Sequence, residues 1–585
     1  MMRDHSCGKL TAEEVGIEVL LCGWVKRNRN LGGIIFVDMW DRGGLVQVVF
    51  NPALPQEVYK QAVALRAEDV VQVRGKVSLR PEKDRNPGME TGDVEINATF
   101  LGLLADSATP PFELTGDEEV SEELRLKYRY LDLRRHRLQH NIIFRHNVVK
   151  AIRDYLSEVG FIEIETPILM KSTPEGARDY LVPSRIYPGN FYALPQSPQM
   201  YKQLLMMAGF DRYFQIARCF RDEDSRADRQ AEFTQLDLEA SFVEEEDIYK
   251  LMEGMLGYVF EECLEQKLEI PFPRLTFDQA LAKYGTDKPD LRFELELWDG
   301  TNVLATASAD FIKKIIASGG VFIGLTVPGG AELSRKGQDE LERTAREMGA
   351  SGLIQLKFKE GKLEGAASKF IPEEAKEGLI SQAKAGDGDL ILAVGGERTP
   401  ALNIMGELRR HLGHKLGLIN PQDYKWLWIT DFPLFEEVDG KIQSPHHAFT
   451  APQEKEISLL DTDPLKVHAR HYDIVLNGAE LGSGSVRIHD VALQRKIFKV
   501  LGYSDGDVEE RFGFFLKAME FGCPPHAGIA PGIDRLVTML LGESSIREVI
   551  AFPKTLRAAS LMDGSPSPVD PAQLEELSIK IRPKP

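Results

Sequence analysis

The sequence of 585 residues is poor in cysteine. It contains Cys7, Cys22, Cys219, Cys263 and Cys523, and no two of them are spaced as Cys-x-x-Cys or stand beside histidines at ligand spacing. A disulfide framework or a structural zinc site needs closely paired thiols. The sequence therefore predicts neither, and it favours a reducing compartment.

Long apolar runs are also missing. No segment reaches the ~18 to 20 apolar residues that a membrane-spanning helix requires. Residues 1–10 are polar and charged and lack the apolar core of a signal peptide. We therefore expect a cytoplasmic protein with no membrane partner.

Two common catalytic motifs are absent. The chain has no Gly-x-x-x-x-Gly-Lys-Ser/Thr loop, which excludes ATP binding by a P-loop. The run Gly482-Ser-Gly-Ser comes near the nucleophile turn of serine hydrolases, but histidine and aspartate do not accompany it in a triad order. A Ser-His-Asp hydrolase is therefore excluded as well.

Positive charge is in short supply. The chain has 71 Lys and Arg against 90 Asp and Glu, a net charge of -19, which opposes broad binding of a polyanion. Residues 1–104 differ, because 13 Lys and Arg there face 14 Asp and Glu, and basic side chains cluster at Lys26, Arg27 and Arg29. A nucleic acid that docks locally on this segment is compatible with the composition.

Residues 15–104 show the two-residue alternation of apolar side chains that is typical of strands. The predicted strands are residues 19–25, 33–38, 45–50, 70–74 and 94–97, with a helix-like stretch at 56–66 between the third and fourth. This order predicts a five-stranded barrel of the OB type. Such barrels bind single-stranded nucleic acid through aromatic and polar side chains, and Arg29, Phe36, Gln47 and Glu95 are candidates here. The alternative for Phe36 is a place in the barrel core.

Changes in composition mark further boundaries. A Pro- and acid-rich stretch predicts a hinge over residues 105–120, and residues 124–155 predict a long helix with a solvated basic face. Residues 285–420 have many glycine-rich turns and few aromatics, which indicates an inserted domain. A Pro-rich extension occupies residues 561–585.

Four islands of charged and polar residues would be costly to bury without a charged ligand. They are residues 173–178, 193–202, 220–239 and 472–487, and the last leads into Gly528-Ile-Ala-Pro-Gly-Ile-Asp-Arg535. Small residues in that run allow close approach to a nucleotide, and an arginine suits a phosphate or a base. Purely structural roles are also open: Asp473 could cap a turn, Glu239 could pair with a surface lysine, and His446 and His447 could be ordinary loop histidines.

With these islands in place, residues 1–560 of the sequence resemble bacterial-type aspartyl-tRNA synthetases, a family of class II aminoacyl-tRNA synthetases. Gly160-Phe-Ile-Glu-Ile-Glu-Thr-Pro167 resembles motif 1, Phe220-Arg-Asp-Glu223 with Phe233 resembles motif 2, and Gly528 to Arg535 resembles motif 3. Motif 3 ends in Asp534-Arg535 where the broader class often has Glu-Arg. The resemblance implies an α+β multidomain protein: an N-terminal OB-type β-barrel and an antiparallel-sheet catalytic domain with an inserted α+β domain.

The resemblance also implies a role for each segment. Residues 1–104 would bind the anticodon, 121–284 and 421–560 would form the two parts of the catalytic domain, and 285–420 would be the insertion. Motif 1 implies a homodimer.

The implied activity is that of an aspartate–tRNA ligase, which forms aspartyl-adenylate and pyrophosphate from ATP and then charges the 3′ end of tRNA-Asp. The attacking carboxylate is already ionised, so catalysis depends on positioning and charge, with Arg221 and Arg535 as catalytic residues. The implied ATP-binding residues are Arg221, Asp222, Glu223, Gln230, Glu480, Gly532, Ile533, Asp534 and Arg535, and the implied Mg2+ ligands are Asp473 and Glu480.

The implied aspartate pocket holds cations for the substrate's side-chain carboxylate and polar groups for its ammonium. Lys202 and Arg487 suit the first role, and Glu175, Gln199 and Asp237 the second. An asparagine amide would leave a buried cation unpaired, which is costly. The full implied set is Glu175, Gln199, Lys202, Arg221, Asp237, His446, His447 and Arg487.

On the barrel, the resemblance implies anticodon contacts from Arg29, Leu31, Phe36, Gln47 and Glu95. Leu31 stands where family members that also charge tRNA-Asn tend to have histidine, which favours strict use of tRNA-Asp. The alternative is a non-discriminating enzyme that also aspartylates tRNA-Asn.

Two competing hypotheses concern the chemistry. Asparaginyl and lysyl relatives share the barrel and the motifs, but the Gln199 and Lys202 pair, Arg487 and the long insertion favour aspartate. A paralogue that binds RNA without catalysis should lack ligands that are present here, such as Arg221 and Glu480.

Overall fold

A computed structural model shows the fold of the protein and describes residues 1–115, 119–172, 177–224 and 226–582. The chain divides into two compact units, Met1–Gln139 and His140–Pro585. Among the described residues, every helix is too short or too polar to span a lipid bilayer.

The first unit contains a closed β-barrel whose strands lie in the order β1-β2-β3-β5-β4. The pairing of β1 with β4 closes the barrel, and β3 and β5 are parallel. The elements are β1 (Glu18–Leu31), β2 (Ile34–Asp41), β3 (Gly44–Phe50), α1 (Gln56–Ala64), β4 (Val70–Leu79) and β5 (Val94–Ala105). The predicted OB-type barrel is confirmed, with the helix in the predicted place.

Alternation along β2 decides which side chains fill the barrel. Ile35, Val37 and Met39 are buried in its core. Phe36 and Asp38 point to the opposite face and are only partly buried. The alternative that Phe36 belongs to the core is therefore wrong.

The basic stretch after the barrel forms three helices instead of one: α2 (Glu122–Lys127), α3 (Arg129–Asp132) and α4 (His136–Glu158). Arg129 and Asp132 are buried and joined by a hydrogen bond of 2.6 Å, and Arg125 Nε donates to the same carboxylate at 3.1 Å. The expected solvated face is wrong for Arg125 and Arg129, because the buried Asp132 pairs with them, whereas Lys127 and Arg137 of the same run are exposed.

In the part of the second unit that the structure describes, the strands form two large sheets and two hairpins. Its strands are β6 (Ile162–Glu163), β7 (Leu181–Pro183), β8 (Phe191–Ala193), β9 (Arg212–Phe220), β10 (Glu232–Ser241), β11 (Arg274–Thr276), β12 (Leu297–Asp299), β13 (Val321–Val327), β14 (Ile354–Lys359), β15 (Lys362–Glu364), β16 (Leu390–Gly396), β17 (Trp426–Thr430), β18 (Glu436–Val438), β19 (Lys441–Gln443), β20 (His471–Leu476), β21 (Ala479–Val486) and β22 (His526–Pro531). Its further helices are α5 (Gln199–Met207), α6 (Glu245–Leu264), α7 (Phe277–Tyr284), α8 (Thr301–Leu304), α9 (Asp310–Ala317), α10 (Arg335–Glu347), α11 (Glu373–Gln382), α12 (Arg398–Lys415), α13 (Val491–Val500), α14 (Asp505–Met519), α15 (Ile533–Leu540) and α16 (Pro571–Glu576).

The larger sheet has eight strands in the order β11-β17-β20-β21-β22-β10-β9-β6. Its pairings are antiparallel except for β11 with β17 and β6 with β9. On β10, Leu236 and Leu238 join the main apolar core, so Asp237 and Glu239 face the other side of the sheet. That alternation places charged groups on one face.

The second sheet has five antiparallel strands in the order β12-β13-β16-β14-β15. Separate apolar clusters cover its two faces, one containing Leu325 and Leu392 and the other Phe322 and Ile391. This is the α+β architecture predicted for the insertion. The limits assigned to the individual domains stay predictions.

Candidate active site

A cavity of about 580 Å³ lies on the charged face of the eight-stranded sheet. Residues of β10, β21, α5 and the segment around Pro445 form its walls. Its lining includes the predicted site residues Gln199, Lys202, Arg221, Glu223, Gln230, Asp237, His446, His447, Glu480, Arg487, Gly532, Asp534 and Arg535. Residues from five separate parts of the sequence therefore meet in one cavity.

Four charged side chains form what we name the buried charge cluster: Lys202, Asp237, Glu239 and Arg487. Each has a side-chain exposure of 2% or less. Lys202 comes from α5, Asp237 and Glu239 from β10, and Arg487 follows β21. Two cations and two anions give the cluster no net formal charge.

The pairing within this cluster is specific. Arg487 donates two hydrogen bonds to Glu239, from Nε to Oε1 at 2.8 Å and from Nη2 to Oε2 at 3.1 Å. Lys202 Nζ donates to Asp237 Oδ1 and lies 3.4 Å from Glu239 Oε2. Within the described residues, Asp237 Oδ2 has no hydrogen-bond partner. The cluster therefore retains one acceptor without a partner, on a residue that lines the cavity.

Burial and charge act differently on the two carboxyl groups. Burial raises the pKa of Asp237, and the charge of Lys202 opposes that rise without cancelling it. Burial would also raise the pKa of Glu239, but the charges of Arg487 and Lys202 outweigh it, so the pKa lies below its ordinary value. Glu239 is therefore held as a carboxylate.

Sequence reasoning missed the part that Glu239 plays, since it offered a surface lysine as its partner. A signal was present in the spacing of Asp237 and Glu239, which puts both on one face of a strand. Glu239 also accounts for the glycine at position 528, because a Cβ there would lie 2.0 Å from Glu239 Oε2. The glycine expected to approach a nucleotide thus makes room for Glu239.

The two predicted catalytic arginines line another part of the cavity. The Arg221 guanidinium lies over the Phe233 ring, 5.0 Å from its centroid. Arg535 Nη1 donates to the backbone oxygen of Glu480, and Nη2 lies 3.3 Å from Asp228 Oδ2. Arg535 lies in the first turn of α15.

Several residues predicted to bind ATP are already engaged by protein groups. Asp534 accepts from Arg145 and, at 2.7 Å, from the backbone nitrogen of Thr234. Gln230 Oε1 accepts from the backbone nitrogen of Lys554 at 2.8 Å. Ile533 is buried and does not line the cavity.

Two acidic members of the predicted ATP site are exposed. Asp222 is exposed, and its carboxylate is 3.9 Å from Arg178. Glu223 lines the cavity and lies 3.4 Å from Arg229. The predicted roles of Asp222, Glu223, Gln230, Gly532, Ile533 and Asp534 toward ATP stay predictions.

The predicted Mg2+ ligands differ in position. Glu480 lines the cavity, whereas Asp473 does not, and Asp473 Oδ1 forms a hydrogen bond of 2.8 Å with His471 Nε2. Burial raises the pKa of Asp473 to about 6 and also raises the pKa of Glu480. Within the described residues, no group of three or more His, Cys, Asp or Glu side chains could hold a metal by itself.

Three histidines line the same region. The rings of His446 and His471 stack with their centroids 3.5 Å apart, and Arg487 Nη1 donates to His447 Nε2 at 2.6 Å. Burial lowers the pKa of all three, to about 3 for His471. They are neutral near pH 7 in this structure, and sequence reasoning did not find His471.

Glu175 lies outside the described residues. The remaining predicted site residues belong to the barrel. Arg29 Nη2 donates to Asp38 Oδ1 at 2.6 Å, and Gln47 Nε2 donates to Glu95 Oε2 at 3.0 Å. Arg29 pairs with Phe36 across β1 and β2, and Leu31 is 61% exposed. Asp38 joins this face and was not predicted.

Comparison with known families accounts for both units. The family model described as "OB-fold nucleic acid binding domain" matches residues 19–104. The family model described as "tRNA synthetases class II (D, K and N)" matches residues 121–556. The chain therefore belongs to the class II tRNA synthetases of the aspartate, lysine and asparagine group. Members of this class use ATP.

Full-length relatives narrow the assignment. The chain is 48% identical over 583 residues to an aspartate–tRNA(Asp/Asn) ligase of Caldanaerobacter subterraneus subsp. tengcongensis, covering 99% of this chain and 98% of that protein. It is 49% identical over 586 residues to the protein of that name in Syntrophomonas wolfei subsp. wolfei, covering 100% of both. The predicted aspartate–tRNA ligase activity is thereby confirmed, with tRNA and aspartate as substrates.

Solved structures agree in fold. An asparaginyl-tRNA synthetase from Pyrococcus horikoshii, complexed with asparaginyl-adenylate, has a TM-score of 0.60 at 20% identity, over 95% of this chain and 99% of that one. An aspartyl-tRNA synthetase from Entamoeba histolytica has a TM-score of 0.57 at 19% identity, over 93% and 89%. These likenesses confirm the class II fold.

Proposed function

We propose that the enzyme activates L-aspartate with ATP in the 580 Å³ cavity and transfers it to the 3′ end of tRNA-Asp. The observation that carries the proposal is the buried charge cluster in a cavity that Arg221 and Arg535 also line. Buried cations select a ligand that carries a carboxylate, and further arginines suit phosphates.

In this proposal the aspartate side chain binds between Lys202 and Arg487. Glu239 uses Nε and Nη2 of Arg487, while Nη1 points at His447 and Ser485. Movement of His447 would free Nη1 for the substrate carboxylate. The open oxygen of Asp237, with Gln199 and Glu175, suits the substrate ammonium.

ATP would lie with its α-phosphate on Arg221 and with Arg535 toward the adenine and γ-phosphate. An oxygen of the aspartate α-carboxylate attacks the α-phosphorus in line, and the bond to the bridging oxygen breaks as pyrophosphate leaves with the electron pair. No proton has to be removed from the nucleophile. The protein's contribution is therefore orientation and stabilisation of charge.

Mg2+ fits the carboxylates of Glu480 and Asp473. Mg2+ in proteins is commonly held by one or two carboxylates together with substrate phosphates, and the described residues offer two carboxylates and no complete cage. When bound, the ion would neutralise charge on the phosphates. Asp473 would have to turn away from His471 to take part.

The barrel face with Arg29, Phe36, Gln47 and Glu95 would read the anticodon, since a partly exposed aromatic ring beside polar groups suits unstacked bases. The second candidate is aspartylation of tRNA-Asn as well. The relatives' name, aspartate–tRNA(Asp/Asn) ligase, favours it, whereas Leu31 favours tRNA-Asp alone. Equal rates of aspartylation on transcripts of both tRNAs would decide for the second candidate.

We also propose a cytoplasmic homodimer that forms through motif 1. β6 is an edge strand of the eight-stranded sheet, and Ile162 within it and Ile168 and Leu169 after it are 49–51% exposed. Apolar side chains at an open sheet edge favour association with a second copy.

ATP–pyrophosphate exchange with aspartate, asparagine and lysine tests the central proposal. We expect exchange with aspartate alone, and its loss in Arg535→Ala. Exchange that survives this substitution, or that requires a different amino acid, would refute the assignment.

A further inference from the structure

A second cavity, of about 320 Å³, lies between the segment after α7 and the helix α12 of the insertion. Four lysines and arginines line it, Lys288, Arg292, Arg409 and Arg410, against two acids, Asp290 and Glu407. Their formal charges sum to +2, and His414 adds a further polar group at the wall. The cavity is therefore suited to an anion.

Arg409 is a buried cation of this wall, and its guanidinium lies over the rings of Tyr284 and Phe293, 4.8 and 4.2 Å from their centroids. It is 2% exposed and donates to three backbone carbonyl oxygens, of Leu295, Asp290 and Phe293, at 2.7 to 3.0 Å. Among the described residues, no carboxylate forms an ion pair with it within 4.0 Å, while Arg292 takes both oxygens of Asp290. A buried cation without a carboxylate partner favours an anion nearby.

The second cavity shares a wall with the first. Lys288 and Gly478 line both. Lys288 acts electrostatically on Asp473 and Glu480, whose pKa values it lowers against the effect of burial. Its contact with Asp287 is long, at 3.7 Å, so its ammonium can also serve an anion from either cavity.

We infer that the second cavity is a pyrophosphate site, which receives the product of aspartate activation from the first cavity across Lys288. The inference rests on the proposed function, because only that reaction supplies pyrophosphate here. Pyrophosphate is a small polyanion, and arginine forks bind phosphate oxygens in pairs. At about 320 Å³ the cavity has room for pyrophosphate, which is smaller than ATP.

Equilibrium dialysis of labelled pyrophosphate with the full-length enzyme tests this site. Saturating α,β-methylene-ATP and aspartate fill the first cavity, so pyrophosphate that still binds reports on the second. We expect one bound pyrophosphate per chain. Arg410 is exposed, and Arg410→Ala should weaken binding about tenfold, because a hydrogen bond to a charged group is lost.

Lys415→Ala is the matched control, since Lys415 lies on the same helix α12 but does not line the cavity. It should bind pyrophosphate as the parent enzyme does. Equal weakening in both variants, or no binding once the first cavity is filled, would overturn the inference. Inorganic sulfate that binds as tightly as pyrophosphate would also overturn it.

ATP–pyrophosphate exchange assays on the same preparations distinguish failure of the pyrophosphate site from failure of the proposed function. Exchange without a second pyrophosphate site would refute the site and leave the proposed function intact. A second site in a protein without aspartate-dependent exchange would refute the proposed function as the source of its ligand.

Discussion

Arg487 combines two tasks that can be separated. Its Nε and Nη2 neutralise the buried Glu239, and its Nη1 donates to His447 and Ser485 and is the group proposed to meet the substrate carboxylate. A residue that served only the fold would be replaceable, together with its partner, by apolar side chains. A residue that also binds the substrate would not.

Arg487→Ala should lower kcat/KM for aspartate in exchange by at least about a hundredfold and destabilise the fold by about 3 to 5 kcal/mol, because Glu239 is left buried and unpaired. Denaturant unfolding and exchange kinetics measure the two effects. In the double variant Arg487→Met with Glu239→Leu, stability should recover and activity should not. Recovery of both would show that the pair serves structure alone.

The raised pKa of Asp473 predicts that the Mg2+ concentration needed for exchange depends on pH. Its pKa is raised to about 6 by burial, so the carboxyl is ionised above that pH and protonated below it. Because a metal ligand must be deprotonated, half-maximal exchange should need more Mg2+ as the pH falls below about 6, by about tenfold per unit. Exchange titrated with Mg2+ between about pH 5 and pH 8 measures this. An unchanged Mg2+ requirement over that range would contradict the role of Asp473.

At the scale of elements, the barrel strands were predictable because their alternation is a local property. The side of each residue on β2 follows from its sequence position, since neighbours point to opposite faces. The break between α2 and α4 was not predictable in this way. It depends on a buried carboxylate, Asp132, that pairs with Arg125 and Arg129.

Substitutions on the outer face of the barrel should weaken tRNA binding and leave aspartate activation unchanged. Phe36→Ala should raise the KM for tRNA-Asp by about tenfold or more, since stacking of one base contributes about 1 to 3 kcal/mol. Exchange without tRNA should stay unchanged. The matched control is Phe100→Ala, an aromatic of β5 that is 42% exposed, and its KM should stay near that of the parent. Equal effects of both substitutions would refute a specific role of Phe36.

At the scale of the whole molecule, the exposed edge at β6 predicts a dimer. A charged side chain introduced beside that edge should dissociate it. Ile168→Arg should raise the dimer dissociation constant at least about a hundredfold, because burying an unpaired cation costs several kcal/mol. Sedimentation equilibrium measures this. Val438→Arg, on the hairpin of β18 and β19 and 39% exposed, is the control that should remain dimeric. A monomeric parent enzyme would refute the proposed homodimer.

The sequence alone determined the order of the parts of this enzyme: the barrel strands, the three motifs and the residue types that can meet ATP and aspartate. Those features are local, because alternation and motif spacing need no knowledge of distant segments. They sufficed to identify the class II family and its fold. They also indicated most of the residues that line the first cavity before their geometry was known.

Only the tertiary structure decided which charges neutralise one another. Glu239 and Arg487 are 248 residues apart, and Asp534 and Arg145 are 389 apart. The first pairing depends on the order of the strands in the sheet, and the second on the packing of α15 near α4. The stacking of His446 on His471 also joins residues that are distant in the sequence. The same is true of the two cavities that Lys288 lines. Burial strengthens these electrostatic interactions, and burial is a property of the folded molecule.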